Sequence, residues 1–282
     1  MRDYVVDSKD FENLSPVFRG KNGSKLALKA MRLFAIDKIN ALYKRSCHLS
    51  GADFAAALLK DLGVKYRIGN AQRLQNLPEG AFITISNHPY GGIDGIMLID
   101  IMAHIRPDYK LMVNSILSLV SALNDCFVSV HPIIKGSRNA HSNVNGIRKT
   151  LQHLKENHPM GFFPSGAVSD FKLKGMHLRD REYQESIVRI IQGANVPIVP
   201  IRFFDSNSVF FYSLGLISWR LRSIRMPYEI FNKRGKCPRI GIGEIISVEQ
   251  QKEYSDPEKF AGLLRNAIYG MPLPESFAER KI

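Results

Sequence analysis

A histidine and an aspartate enclose five residues in segment 87–95, Asn-His-Pro-Tyr-Gly-Gly-Ile-Asp-Gly. A histidine is suited to this work because the unperturbed imidazole, with a pKa of about 6.5, takes and returns a proton near neutrality. Asp94, within two helical turns of it, can fix the tautomer of the ring and steady the imidazolium. The pair suits general-base activation of a hydroxyl or a water. Gly91 and Gly92 let the backbone turn tightly and approach a ligand closely. The bland alternative is a histidine that caps a loop and an aspartate that opens a helix as a favourable acidic residue. A strand pattern before the segment and a helix pattern after it favour the functional reading.

Two other segments can hold a ligand. Segment 161–169, Gly-Phe-Phe-Pro-Ser-Gly-Ala-Val-Ser, is a short strand running into a Pro-Gly turn. Pro164, Ser165, Gly166 and Ser169 are its candidate substrate contacts, offering backbone N–H groups and hydroxyls to an anionic or carbonyl-bearing ligand. Taken alone, the same string is a turn and little more. In 135–138, Lys-Gly-Ser-Arg, Arg138 can fork onto a carboxylate or phosphate, with Lys135 beside it. Most loop arginines are simply solvated. Asn87, Gly91 and Gly92 complete the candidate substrate contacts.

The elements that must position these residues alternate between helix and strand periods. Strand patterns fall at 81–86, 126–130, 160–163, 196–203 and 239–246, and helical spacing at 92–104, 139–157 and 182–193, with a polar basic loop over 170–180. Such alternation predicts an α/β sheet covered by helices, with ligands at the C-terminal ends of strands. Ahead of it, 24–45 predicts one basic amphipathic helix and 51–62 a second. This N-terminal part can lie on a membrane or pack on the core, and amphipathicity alone favours packing. The expected organisation is a helical membrane-associating region over 1–75, a core over 76–250 and a helical tail over 251–282, all in one structural domain.

The chain has 282 residues, few enough for a single core, and 45% of them are hydrophobic, as in an ordinary folded protein. Its 39 Lys and Arg against 26 Asp and Glu leave a net +13, a field that attracts nucleic acid, anionic lipid or an acidic carrier protein. The basic residues are spread along the chain without an aromatic RNA-binding signature or a zinc-finger spacing, which argues against nucleic acid. The longest apolar run, 111–123, is shorter than the ~20 residues a membrane span requires. The opening residues have neither the apolar stretch nor the cleavage site of a secretory signal, so a cytoplasmic location is expected. Cys47, Cys126 and Cys237 are odd in number and widely spaced, with no metal or disulfide pattern. A hydrolase ranks last, since no Gly-x-Ser-x-Gly elbow occurs.

In order along the chain, His-Pro-x-Gly-Gly-x-Asp-Gly, Gly-Ser-Arg, Phe-Pro-x-Gly-x-x-Ser and Val-Pro-Ile-Val-Pro-Ile resemble the four blocks of the lysophosphatidic acid acyltransferase superfamily. The wording is closest to its hemolysin-like branch of bacterial lyso-ornithine and lyso-glycine lipid O-acyltransferases. The resemblance spans roughly Phe82 to Ile246, including 179–186 and 207–212. It departs from the wider superfamily in two places. Four residues usually separate the histidine and aspartate, whereas five do here, a spacing the branch shares. The third block commonly has a glutamate where Ser165 stands, which weakens a grip on glycerol phosphate.

The resemblance implies a mixed, mostly parallel sheet flanked by helices, with an N-terminal amphipathic helical pair. It implies that His88 deprotonates an acceptor hydroxyl, that Asp94 holds His88, and that Arg138 or Lys135 meets an acidic headgroup. Backbone N–H groups of Gly91, Gly92 and Gly166 are the expected oxyanion donors. The co-substrate would be acyl-ACP (acyl carrier protein) or acyl-CoA, with no metal, no tightly bound cofactor and no nucleic acid partner. The acceptor would be a lyso-aminolipid, or alternatively lysophosphatidic acid. The protein would sit peripherally on the anionic cytoplasmic face of the inner membrane.

Overall fold

The computed structural model describes residues 2–130 and 140–280. Four helices come first: α1 (Ser8–Leu14), α2 (Gly20–Leu33), α3 (Ile36–Ser46) and α4 (Gly51–Leu62). Asp7 caps α1 by accepting from the Asp10 N–H while Asp10 accepts from the Asp7 N–H, so orphan donors at the helix start are used. α4 stops at Gly63, whose left-handed backbone (φ 67°) lets its N–H reach back to the Leu59 and Lys60 carbonyls. Where periodicity predicts one helix over 24–45, two form. Ala35 interrupts them with a left-handed φ of 52°, and the break turns α3 over α4.

The sheet strands follow: β1 (Arg67–Gly69), β2 (Ile83–Ser86), β3 (Lys110–Asn114), β4 (Phe127–Val130) and β5 (Met160–Phe162). A separate hairpin, β6 (Asp170–Lys172) with β7 (His177–Arg179), occupies the stretch read from sequence as a polar loop. The main sheet is completed by β8 (Ile198–Phe203), β9 (Arg239–Ile242) and β10 (Phe277–Glu279). Its order is β10-β1-β9-β8-β2-β5-β3-β4, with parallel pairing throughout except β1 with β10 and β8 with β9. The expected mixed, mostly parallel sheet is present. It recruits β1 from the predicted N-terminal helical region and β10 from the predicted helical tail, so both flanks join the core.

Helices cover both faces. α5 (Gly92–Ile105) is apolar nearly all round because it is sandwiched between the sheet and α4. Met97, Leu98 and Ile99 are fully buried there, and truncating Leu98 to Ala would cost about 2–5 kcal/mol. The opposite face carries α6 (Ala140–Lys155), α7 (Glu185–Ala194) and α11 (Pro257–Tyr269), which bury Leu154, Val188, Ile191, Phe260 and Leu264. Between β8 and β9 runs a hairpin of helices, α8 (Val209–Ile217) and α9 (Trp219–Phe231); the short α10 (Val248–Lys252) precedes α11.

Beside β1 the buried carboxylate of Asp100 on α5 accepts a hydrogen bond from the Tyr66 hydroxyl. It is paired with Arg280, Nη2 to Oδ1 3.2 Å, and with His104. Charge burial is tolerated there because partners surround it.

Candidate active site

β2 lies mid-sheet and all four of its residues are buried, so the chain leaving its C-terminal end emerges above the centre of the sheet. His88 and Asp94 sit there, with His88 Nδ1 2.9 Å from Asp94 Oδ2. The ring N–H does not aim along this contact, so the two side chains meet as close polar neighbours and not through a linear hydrogen bond. The His88 ring stacks on Phe163, centroids 4.0 Å apart, which fixes its plane. With Nδ1 against Asp94, Nε2 is the nitrogen left for a substrate proton.

Asp94 is wholly buried in the first turn of α5, and its Oδ2 also accepts from the N–H groups of Tyr90 (2.9 Å) and Gly91 (3.0 Å). Burial pushes its carboxyl above the usual range, and the His88 contact and these backbone donors pull the other way without overcoming it. The positive end of α5 favours the carboxylate.

The loop between β2 and α5 is tied down from three directions. Asn87 exchanges two hydrogen bonds with the Phe203 backbone of β8, at 2.9 and 2.8 Å. Its side chain is therefore a clamp between strands and not a substrate contact. The Tyr212 hydroxyl on α8 donates to the Pro89 carbonyl (2.7 Å), and the Asn207 amide donates to the Tyr90 carbonyl (3.3 Å). Gly91 has φ 85°, and a Cβ there would come within 2.8 Å of Met226 Sδ on α9. Only glycine fits that position.

Asp180 is a second buried carboxylate beside the histidine; the resemblance covers its stretch, 179–186, without giving the residue a role. Its Oδ1 accepts from the His88 backbone N–H (3.2 Å) and the Ser169 hydroxyl (2.5 Å). The Tyr269 hydroxyl accepts from the Asp180 N–H (2.8 Å), tying α11 to the site. Burial also raises the Asp180 carboxyl above the usual range.

The loop after β5 comes alongside, as the Ser169 N–H donates to the His88 carbonyl (2.9 Å). Its hydroxyls are already used. Ser169 serves Asp180, and Ser165 donates to the Ala167 carbonyl (2.8 Å), closing the turn. The Pro164 carbonyl accepts from the Gln184 N–H (3.0 Å). Of the expected oxyanion donors, the Gly91 N–H is bound to Asp94 and the Gly166 N–H to the Phe163 carbonyl (2.9 Å). Gly92 is the first residue of α5, where the helix supplies no acceptor for an N–H. Lys135 and Arg138 lie outside the described residues.

An apolar cavity of about 650 Å³ opens against His88, within the roughly 300–1,000 Å³ of small-molecule sites. Its walls come from Leu42 of α3, Leu58 of α4, Ile96 of α5, Leu111 of β3 and Met226 of α9. Polar groups gather near His88, among them Ser165, Gly166, Arg181, Glu182 and Gln184. Among the described residues no cluster of three His, Cys, Asp or Glu can hold a metal, and the three cysteines are free.

A histidine and carboxylate at the mouth of an apolar cavity suit chemistry on a hydroxyl at the end of a fatty chain. A family model described as acyltransferase matches residues 17–269. The chain belongs to the acyltransferase family. It is an enzyme that transfers acyl groups. The acyltransferase is 28% identical to the lyso-glycine lipid O-acyltransferase of Phocaeicola vulgatus, over 83% of this chain and 82% of the relative. Identity to the lyso-glycine lipid O-acyltransferase of Bacteroides thetaiotaomicron is also 28%, over 83% and 85%. The crystal structure of the 1-acyl-sn-glycerophosphate acyltransferase PlsC from Thermotoga maritima aligns over 93% of both chains at 14% identity, with a TM-score of 0.48. Among the described residues of the acyltransferase no helix is long and apolar enough to cross a membrane.

Proposed function

We propose that this acyltransferase moves a fatty acyl group from a thioester donor, acyl-ACP or acyl-CoA, to the hydroxyl of a lyso-aminolipid of the glycine or ornithine type. The observation that carries the reading is His88 Nδ1 held 2.9 Å from Asp94 Oδ2 at the mouth of the apolar cavity. The names of the two curated relatives, both lyso-glycine lipid O-acyltransferases, support the acceptor class.

His88 Nε2 takes the acceptor hydroxyl proton as the oxygen attacks the thioester carbonyl carbon. The new C–O bond forms, and the negative charge moves to the carbonyl oxygen. Of the three glycine N–H groups, that of Gly92 is the one free to meet it, with the helix dipole of α5 behind it. The C–S bond then breaks, and the thiolate leaves with the proton held by His88. Asp94 steadies the imidazolium between the two transfers. The thioester supplies the driving force, so the step requires neither a metal nor a tightly bound cofactor. The enzyme works peripherally on the anionic cytoplasmic face of the inner membrane.

The test is to offer the purified enzyme lyso-glycine lipid, lyso-ornithine lipid and lysophosphatidic acid, each with acyl-ACP and acyl-CoA, and to weigh the products by mass spectrometry. Acylation of an aminolipid is expected. Acylation of lysophosphatidic acid alone would replace this reading by one in phospholipid synthesis.

A further inference from the structure

The α8–α9 hairpin has two opposed faces. Inward, Phe211 and Tyr212 are buried, and Tyr212 holds the Pro89 carbonyl of the catalytic loop. Outward, Val209, Phe210, Leu216 and Ile217 are exposed, Ile217 by 76%. Spacings of three and four residues put Phe210, Leu214 and Ile217 along one stripe of α8. At the turn between the helices Trp219 is 63% exposed, followed by exposed Leu221. A contiguous apolar patch of this kind on a soluble surface marks an interaction site.

The charge of this face identifies the occupant. Within 206–231 the only acidic residue is Glu229, which is buried against Ser208 and Lys233. Arg220 is exposed and lies 5.6 Å from the Trp219 centroid, whereas Arg225, 5.4 Å from that of Phe210, is half-buried and paired with Glu229 (3.4 Å). This is the arrangement in which apolar stems face hydrocarbon and charged heads reach anionic headgroups. The end of α2 extends the same surface. The Tyr228 hydroxyl donates to the Arg32 carbonyl (3.0 Å), and Leu33, itself exposed, borders a groove shared with Leu221 and Ile224. A second copy of the chain fits less well, because two-fold pairing would set Arg220 against its own image.

Resting on the reading that the enzyme works at a lipid surface, we propose that the α8–α9 hairpin is its principal membrane-entering element. Trp219 and Ile217 sit in the headgroup–acyl boundary of an anionic bilayer, and the end of α2 lies beside them. The same hairpin clamps the catalytic loop and lends Met226 and Ile230 to the cavity, so the bilayer and the site share one wall.

Trp219 is the only tryptophan in the chain, so its fluorescence reports on this hairpin alone. The full-length protein is mixed with vesicles of phosphatidylglycerol, or of phosphatidylcholine, free of lyso-lipid and acyl donor, and binding is followed by co-sedimentation. Binding to phosphatidylglycerol should shift Trp219 emission to the blue and allow quenching by lipids brominated on their acyl chains. The double variant Ile217→Gln, Trp219→Gln should partition about tenfold more weakly or worse. It should still acylate detergent-dispersed lyso-glycine lipid at the wild-type rate. Sedimentation with vesicles while Trp219 emission stays unchanged would overturn the proposal, as would equal binding to both lipids. A lipid-free wild type whose Trp219 is already blue-shifted, and whose mass halves in the variant, would show that a second copy covers the face and would also overturn it. Wild-type inactivity on dispersed lyso-glycine lipid would strike at the proposed acceptor and leave the vesicle result standing.

Discussion

The floor and the roof of the cavity are built by different forces. On the floor, from His88 to Asp94, polar atoms are matched to partners: Asn87 to Phe203, Pro89 to Tyr212, Tyr90 to Asn207, Asp94 to two backbone N–H groups. The roof, α3 and α4, presents Ile39, Leu42, Phe54, Leu58 and Leu62, whose contacts are dispersive and non-directional. Directional bonds fix atoms to a fraction of an ångström, as proton transfer demands. Apolar packing fixes only a volume, which suffices to house a fatty chain. Chemistry should therefore respond to floor substitutions and chain selection to roof substitutions.

The contrast can be tested from its strongest consequence downward. His88→Ala removes the base and should lower kcat about 10⁴-fold or more in an acyl-transfer assay, with an unchanged far-ultraviolet circular dichroism spectrum. Asp94→Asn leaves His88 stacked on Phe163 but without its counter-charge, and a loss of about 10²–10³-fold in kcat with little change in KM is expected. If this variant lost KM instead, the floor would be a binding surface only. Leu58→Trp shortens the roof; competition between long and short acyl donors should shift at least about tenfold toward the short one, with kcat for the short donor retained. An unchanged preference would put the chain elsewhere.

The smallest effect concerns Asp180. Because burial raises its folded pKa above the unfolded value, the native state binds the extra proton, and stability falls as pH rises through the window between the two. Asp180→Asn keeps an oxygen for the His88 N–H and the Ser169 hydroxyl but cannot ionise. Thermal midpoints of variant and wild type should agree below about pH 3.9 and diverge in favour of the variant as pH rises. A wild type that gains stability relative to the variant on that path would show Asp180 to be favourably ionised.

This division also explains what could be read from the chain. The floor was legible because its demands are local: a base, a carboxylate and the glycines of one tight turn, placed between a strand and a helix. The central strands were legible through apolar runs such as 196–203. Roles settled by distant partners were not. Nothing near Asn87 shows that its amide will meet Phe203, and Asp180 is hidden in the charged string Arg-Asp-Arg-Glu. The hydroxyls of Ser165 and Ser169 looked free for a ligand, yet the turn and Asp180 claim them. Apolar residues lie on both faces of α8, one against the site and one outward, so helical periodicity does not mark it. The break at Ala35 came without a glycine or proline to announce it.

The placement of Asp100 bears on how the protein is made. Translation delivers β1 long before the two strands that flank it in the sheet, β9 and β10. Such distant pairings slow folding. Until Arg280 has left the ribosome, the Asp100 carboxylate on α5 has only Tyr66 and His104 as partners, and losing one member of a buried pair costs about 3–5 kcal/mol. The nascent chain can thus assemble its catalytic turn before β10 and Arg280 arrive to seal this side of the sheet.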